Sequence, residues 1–340
     1  FSQDSEGNLV AGTNAGEDLA SGGTYNLFLM EDAGKNITTG DNNIAIGKGA
    51  LQTSDTEGSN IAIGYEAFKD HNSGNYNVAI GYQAAYYCPG HSSCTAIGAF
   101  AMGKPSSSTT LWSTAVGYGA MLASEGWACT AVGVDAVDGS SSSANYNTGV
   151  GYAAIHDVSS GEGNSALGAS AGNGCGSGAY NVFLGYNAGN DTLSTGDNCI
   201  LIGKNSAPSS SSVDNEITLG NSDTATLRCN TQTISSLSDK RDKTDINQLD
   251  LGLDFVDSLK PVKFKWQTRD GNGKDGSYEH GFIAQDLQKI QKDNDADYLG
   301  LVMDENPERL EASYGKLVPV LVKAIQELKQ EINQLKETKN

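Results

Sequence analysis

The stretch with the clearest chemical potential is SSLSDKRDKTDI, at residues 235–246, where Ser238 is followed within five positions by two aspartates and three basic residues. A serine hydroxyl becomes nucleophilic when an adjacent base takes its proton. A lysine serves as that base only if its pKa falls from about 10.4 towards neutrality, which nearby cations favour and nearby aspartates oppose. The structural alternative is that the serine caps a helix and the charges form a solvated linker. The stretch alone leaves both interpretations open.

The same stretch marks a change in composition along the chain. Residues 1–237 hold six of the 22 Lys and Arg and 21 of the 41 Asp and Glu, a net charge of -15, against -4 for residues 238–340. We therefore predict two domains, 1–237 and 238–340. The overall net charge of -19 disfavours nucleic acid and anionic membrane as partners, and apolar runs of only a few residues predict no membrane insertion. A first residue of Phe1 and no visible signal peptide predict a fragment of a longer chain.

Residues 8–220 consist of units such as NIAIGKGAL and NIAIGYEAF, whose key glycines recur every 16 to 19 residues. Each unit is interpreted as one short strand followed by a turn rich in Gly, Asn, Ser and Asp. Ile44 and Ile46 lie on one face of such a strand and Ala45 on the other, so we expect the small face to approach a neighbouring layer or chain closely. A unit this short cannot bury its own face, but stacked units can.

This pattern predicts a mainly β repeat, a parallel β-roll or β-solenoid of about 17-residue units. Phe and Leu are scarce for a self-sufficient core, which favours several chains wound side by side. The repeats resemble the head repeats of trimeric autotransporter adhesins, in which a similar N-x-[AV]-[IV]-G unit builds a trimeric left-handed β-roll. The period here is longer than in that family, so the handedness stays open.

The cysteines and histidines give little indication of a metal site. Cys94, Cys129 and Cys199 occupy a slot that asparagine holds in other units, which predicts small buried side chains in a stacked ladder. The segment CPGHSSC, with Cys88, His91 and Cys94, is a weak metal-binding pattern. We predict no metal, no cofactor and no disulfide scaffold.

The last hundred residues change to an α+β pattern. LGLDFVDSL predicts a helix, VKFKWQ a strand, and YEHGFIAQDLQKI a strand leading into a helix. The final segment predicts a long helix whose apolar residues alternate in steps of three and four, as in a short coiled coil. The predicted seam consists of Val318, Leu321, Ile325, Leu328, Ile332 and Leu335. Its β-branched and leucine pattern favours by itself a coiled coil of two helices, but the flanking domain can override that preference.

Four motifs in this region, SDKRDKTDI, LKPVKFKW, HGFIAQDL and YGKLVPVLVKAIQELK, resemble in order the C-terminal intramolecular chaperone of phage endosialidases, tail spikes and tail fibres, a self-cleaving peptidase family. The resemblance covers essentially all of 238–340. It implies that Ser238 is the nucleophile and Lys243 its base, with cleavage between Leu237 and Ser238. A spacing of five does not place both on one helix face, so Lys243 must fold back or reach over from another chain.

The sequence therefore predicts the distal part of a phage tail fibre or spike, a homotrimer in the virion that is assembled in the host cytoplasm. The β-rich part would bind a host cell-surface receptor or glycan, and the C-terminal domain would align the chains and then release itself. Two alternatives remain open. One is a non-enzymatic trimeric surface adhesin, which we expect to end in a membrane anchor rather than a charged helix. The other is part of a glycan depolymerase tailspike whose catalytic domain precedes Phe1.

Overall fold

A computed structural model describes residues 3–71, 73–103, 112–139, 144–224, 226–230, 238–268, 275–304 and 306–338. Contacts between Cα atoms divide the chain into two units, Phe1–Asn221 and Ser222–Asn340, which are considered separately below. The boundary at 237/238, placed by composition, stays a prediction, and Leu237 lies outside the described residues. In the part of the chain that the structure describes, no helix has the length and apolarity needed to cross a membrane.

The first unit is a parallel β-solenoid, whose described residues form thirteen three-residue strands, each hydrogen-bonded to the next in chain order. The strands are β1 (Leu9–Ala11), β2 (Leu27–Leu29), β3 (Ile44–Ile46), β4 (Ile61–Ile63), β5 (Val78–Ile80), β6 (Thr95–Ile97), β7 (Thr114–Val116), β8 (Thr130–Val132), β9 (Thr148–Val150), β10 (Ser165–Leu167), β11 (Val182–Leu184), β12 (Ile200–Ile202) and β13 (Ile217–Leu219). One strand and the turn after it form a coil. Equivalent residues lie in register, with Ile44 opposite Ile61 and Ile61 opposite Val78. The predicted β-solenoid is confirmed.

The core of the solenoid lies inside a single chain. The middle residue of most strands points inward and is buried, as with Ala45, Ala62 and Ala79, whereas the first and third strand residues are mostly only partly buried. Turn residues such as Phe68 and Ile155 fill the space opposite the alanines in one continuous cluster. The alanine face therefore packs within its own coil. The expectation that several chains are wound side by side stays a prediction.

Glycine is required in its slot because successive coils approach closely there. Gly64 has a φ of +138°, and a Cβ on it would lie 2.3 Å from the carbonyl oxygen of Gly81 in the next coil. Gly47 has the same relationship to Gly64, at 2.4 Å. An L side chain is disfavoured at this φ, and the clash would also force the coils apart. This double constraint explains why glycine recurs once in almost every unit.

A ladder of buried asparagines holds the coils in register. Asn26 Oδ1 accepts the backbone N–H of Asn43 at 2.9 Å, and Asn43 Oδ1 accepts that of Asn60 at 3.0 Å. Cys199 replaces asparagine in one coil, where its N–H donates to Asn181 Oδ1 at 2.8 Å. Cys94, Cys129 and Cys199 are all buried, so the prediction of small buried side chains in a ladder is confirmed.

Within its described residues, the second unit contains three α-helices, two short antiparallel hairpins and three 3₁₀ helices. Its elements are a 3₁₀ helix (Lys240–Asp242), α1 (Leu253–Ser258), β14 (Val262–Lys265), β15 (Tyr278–Gly281), α2 (Ala284–Asp293), a 3₁₀ helix (Asp297–Leu299), β16 (Val302–Met303), β17 (Glu311–Ala312), a 3₁₀ helix (Tyr314–Leu317) and α3 (Val318–Glu337). A small core joins α1, α2 and α3 through Phe255, Leu287 and Val320. The helices and strands predicted for this region are present, although α1 (Leu253–Ser258) is shorter than the helix predicted for LGLDFVDSL.

Helix α3 presents two different sides. Val320 and Ala324 are buried on the side that faces the core. The six predicted seam residues are between 41% and 65% exposed in the single chain, namely Val318, Leu321, Ile325, Leu328, Ile332 and Leu335. Exposed apolar residues at coiled-coil spacing are what an unpaired helix surface shows. Their pairing between copies stays a prediction.

Candidate active site

A short 3₁₀ helix reverses the chain between the serine and the lysine of the SDKRDKTDI motif. Asp239 precedes this helix, Lys240–Asp242, and its Oδ1 accepts the backbone N–H of Arg241 at 2.9 Å. The side chain that caps the helix therefore belongs to Asp239, and the alternative role of Ser238 as that cap is wrong. Lys243 follows with an extended backbone, φ -131°. The sequence signal for this turn is Asp239 itself, because an aspartate commonly accepts a hydrogen bond from the backbone N–H two residues later, here that of Arg241.

The turn brings the side chains of Ser238 and Lys243 together. Lys243 Nζ donates to Ser238 Oγ at 2.5 Å, within hydrogen-bond distance. Of the two arrangements left open by a spacing of five, folding back within one chain is the one observed. Both residues are exposed in the single chain. A hydroxyl beside an amine is the geometry that a serine nucleophile and a lysine base require.

The neighbouring charges pair with each other and not with the lysine. Arg241 Nη2 lies 2.6 Å from Asp239 Oδ2, and Arg241 Nε lies 3.1 Å from both carboxylate oxygens. This side-chain hydrogen bond lowers the pKa of Asp239 and raises that of Arg241. Within the described ranges, Lys243 forms no ion pair.

The segment after the lysine is fastened to the core of the second unit. Leu249 and Leu251 pack against that core, and Tyr298 Oη donates to Asp250 Oδ1 at 3.1 Å. Glu327 Oε2 on α3 accepts the backbone N–H of Leu253, the first residue of α1, at 2.7 Å. Sequence spacing could not reveal the Glu327 contact, because the two residues are 74 positions apart.

Other predicted positions lie apart from this pair or outside the described residues. Leu237, on the other side of the predicted cleavage point, is among the latter. Cys88, His91 and Cys94 are buried in the solenoid. Among the residues that the structure describes, no group of three or more His, Cys, Asp or Glu side chains could hold a metal ion.

Comparison with protein families identifies the second unit. Residues 238–296 match the Peptidase_S74 family, described as chaperone of endosialidase. No curated protein and no solved structure compared with the chain gives a match. The match begins at Ser238, where the composition changes, and it implies self-cleaving peptidase activity in general terms. The chain thus joins a β-solenoid to a C-terminal region that is similar to the endosialidase chaperone family, an organisation that fits a phage tail fibre or tailspike-like protein with an intramolecular chaperone.

Proposed function

We propose that the C-terminal region, 238–340, assembles three chains, aligns their solenoids and then cuts itself off between Leu237 and Ser238. The observation that carries this proposal is the 2.5 Å contact between Lys243 Nζ and Ser238 Oγ. It lies within the segment that matches the endosialidase chaperone family. A serine and a lysine in contact at the first residues of that match support Ser238 as nucleophile and Lys243 as base.

The chemistry is a shift of the Leu237 acyl group followed by hydrolysis. Ser238 Oγ attacks the carbonyl carbon of Leu237 while the amine of Lys243 takes the hydroxyl proton. The bond from this carbon to the backbone nitrogen of Ser238 breaks, and Lys243 returns the proton to that nitrogen. The product is an ester between Leu237 and Ser238 Oγ. Water then hydrolyses the ester and leaves the carboxylate of Leu237 and the free hydroxyl of Ser238.

Assembly precedes cleavage in this proposal. In the single chain both Ser238 and Lys243 are exposed. A lysine base requires burial or nearby cations, which adjoining copies would supply. The exposed seam of α3 offers the means of bringing those copies together. The cut would then follow trimer formation rather than compete with it.

The repeats make such a domain useful. Coils of nearly equal length and sequence can pair out of register by whole coils, so several misaligned assemblies lie close in energy. Pairing between long repeat chains is also slow and prone to aggregation. A C-terminal domain that trimerises first would hold three chain ends level while the solenoids associate. Its release removes the template, so the finished fibre is kinetically stable.

The experiment is an intact-mass measurement and a denaturing gel on freshly purified protein. The wild-type chain is expected to give two fragments whose masses sum to the whole plus one water. Ser238→Ala and Lys243→Ala are expected to give one uncut chain. Lys240→Ala removes the same charge from the neighbouring 3₁₀ helix and should cleave like the wild type. An uncut wild type, or a cut Ser238→Ala, would overturn the proposal.

We further propose that the solenoid belongs to a virion and binds a host cell-surface receptor or glycan. The family match supports a phage tail fibre or spike over the adhesin alternative, which has no self-cleaving region. A pull-down of the purified, cleaved fibre with host cells tests this. Binding that persists after the C-terminal fragment is removed supports attachment through the solenoid. Binding that is lost with the fragment contradicts it.

A further inference from the structure

One face of the solenoid is exposed, apolar and free of charge over eight consecutive coils. We call it the outer sheet face, and define it by four outward positions a coil: the first and third strand residues, and the residues two before and two after the strand. In the coil of β4 these are Ser59, Ile61, Ile63 and Tyr65. From β4 to β11 none of these positions is charged, although 19% of the whole chain is charged. Charged residues return at Lys48 and Lys204, just beyond these coils.

From β5 to β11, large and small residues alternate along both edges of the outer sheet face with a period of two coils, whereas the β4 coil carries Ser59 on one edge and Tyr65 on the other. The aromatic pairs are Tyr76 and Tyr82 at β5, Trp112 and Tyr118 at β7, Tyr146 and Tyr152 at β9, and Tyr180 and Tyr186 at β11. These eight side chains are between 49% and 71% exposed. The coils between them carry Ser93 and Ala99 at β6, Ala128 and Val134 at β8, and Gly163 and Ala169 at β10.

Packing within the chain accounts for part of this alternation. The ring of Tyr180 covers Gly163 in the preceding coil, because a Cβ on that glycine would lie 2.7 Å from Tyr180 Cδ1. The ring of Phe100 lies between those of Tyr82 and Tyr118, at centroid distances of 5.3 and 5.7 Å. Yet Tyr180 remains 59% exposed and Tyr118 54%. Contacts within one chain therefore leave most of these rings uncovered.

The outer sheet face is long. Eight strands about 4.8 Å apart span about 34 Å. A face this large and uncharged is expected to be covered by another macromolecule.

The partner that fits best is another copy of this chain. Two copies carry the same strong negative charge, and a face without charged residues lets them approach without opposing like charges. A copy also has the same coil spacing, so a contact made at one coil recurs at the next. We propose that the outer sheet face from β4 to β11 is the contact between copies, with aromatic coils of one copy level with aromatic coils of the next. This inference rests on the proposed homotrimer.

The alternation then distinguishes some registers from others. In a threefold ring, one edge of a face meets the opposite edge of its neighbour, so Tyr146 of one copy lies beside Tyr152 of the next. A slip of one coil would set every aromatic coil against a small one and leave voids, which are costly. A slip of two coils restores the match. Packing of the outer sheet face thus disfavours chains that are misaligned by one coil. The C-terminal region is needed to exclude chains that are misaligned by two coils.

Photo-oxidative coupling of tyrosines in the full-length protein tests this arrangement. Tyr146 precedes β9 and Tyr152 follows it, on opposite edges of the outer sheet face. A link between copies is identified by recovering the joined peptides from a denaturing-gel band of two or three chain masses. We expect Tyr146–Tyr152 and Tyr180–Tyr186 links by mass spectrometry, and loss of the first in Tyr152→Phe. Tyr65 and Tyr82, stacked 5.3 Å apart in one chain, are the positive control for coupling. Links shifted by two coils, such as Tyr146–Tyr186, would overturn the level alignment.

A charge placed on the face provides a second test. Leu167 is 55% exposed in the single chain, so Leu167→Lys should leave the solenoid folded by circular dichroism but reduce trimer by at least tenfold in light scattering. Ser160→Lys, in an exposed turn, is the matched control and should remain trimeric. A trimer unaffected by Leu167→Lys overturns the face assignment but leaves the proposed trimer and its cleavage intact. A wild type that stays monomeric would overturn both the trimer and this face assignment. Protection of its Tyr146 from oxidation by an added oligosaccharide would identify a glycan as the occupant of the face instead.

Discussion

Glu327 on α3 accepts the backbone N–H of Leu253 at 2.7 Å, and so connects the helix with the predicted trimer seam to the start of α1. Helix α1 begins ten residues after Lys243 in the chain. Glu327 also pairs with Lys323 one turn earlier, at 3.0 Å. The N–H of Leu253 and, secondarily, the Lys323 side chain hold the pKa of Glu327 below its usual value. Packing of α3 and placement of the cleavage segment are therefore physically linked.

The first prediction concerns that link. Glu327→Ala leaves the first amide of α1 without its carboxylate partner, so we expect self-cleavage several times slower but not abolished. Glu327→Gln keeps an acceptor oxygen, so its half-time of cleavage after refolding should lie between those of the wild type and Glu327→Ala. The ionised carboxylate stabilises the fold above its ordinary pKa, and that contribution is lost as pH falls through the lowered value. Unchanged half-times in both variants would show that the contact has no part in cleavage.

The second prediction tests the glycine slot. Gly64→Ala puts a Cβ 2.3 Å from the Gly81 carbonyl oxygen at a φ of +138°, so we expect a loss of about 3 kcal/mol or more of unfolding free energy. Gly22→Ala is the control, because its φ is +111° but its Cβ would meet nothing nearer than 4.0 Å. The measurement is urea unfolding of both variants. Equal losses would mean that backbone strain alone, and not the approach of the coils, dictates glycine.

The third prediction is a pH dependence that arises from His91. Its side chain is fully buried, and within the part of the chain that the structure describes neither ring nitrogen has a hydrogen-bond partner. Burial, and secondarily His71, lowers the pKa of His91 to about 3. Because the folded pKa is the lower one, the neutral ring's stabilising contribution is complete above the ordinary value of 6.5 and is lost as pH falls towards 3.

The test is a series of melting temperatures between pH 7 and pH 4. The melting temperature of the wild type should decrease progressively as the pH falls, whereas that of His91→Leu should decrease clearly less. His156→Leu is the control, since His156 is partly exposed and pairs with Asp157 at 3.0 Å. If His91→Leu and wild type decline in parallel, protonation of His91 does not limit stability in acid.

Sequence patterns predicted those features of the fold that depend on local spacing. The recurrence of glycine and the alternation around Ala45 specify a strand in each coil, because strand faces follow directly from a period of two. They could not show whether Ala45 faces its own coil or another chain, since that depends on what closes the core. Phe68 and Ile155 do so from the turns, four residues after the key glycine, where a large apolar residue recurs in many units. The recurrence alone does not show which way that position points.

The candidate site divides in the same way. Ser238 and Lys243 could be named from a motif, and the 3₁₀ turn at Lys240–Asp242 explains why a spacing of five brings them together. The cap by Asp239 follows a local rule, although the alternative interpretation assigned the capping role to Ser238. The Glu327 contact is tertiary and has no local signature, so only the folded chain reveals it.

The last prediction addresses the exposed seam of α3. Ile325 and Ile332 are 65% and 44% exposed, so a lysine at either position costs the single chain little, whereas charges in a trimer seam would be buried without partners. We expect the double variant Ile325→Lys with Ile332→Lys to remain folded but monomeric in light scattering, and to cleave at least tenfold more slowly because the site is not enclosed by neighbouring copies. Gln330→Lys, an exposed position outside the seam, is the control and should behave like wild type. A monomeric double variant that still cleaves at the normal rate would show that Ser238 and Lys243 act without assembly, and would reverse the proposed order of events.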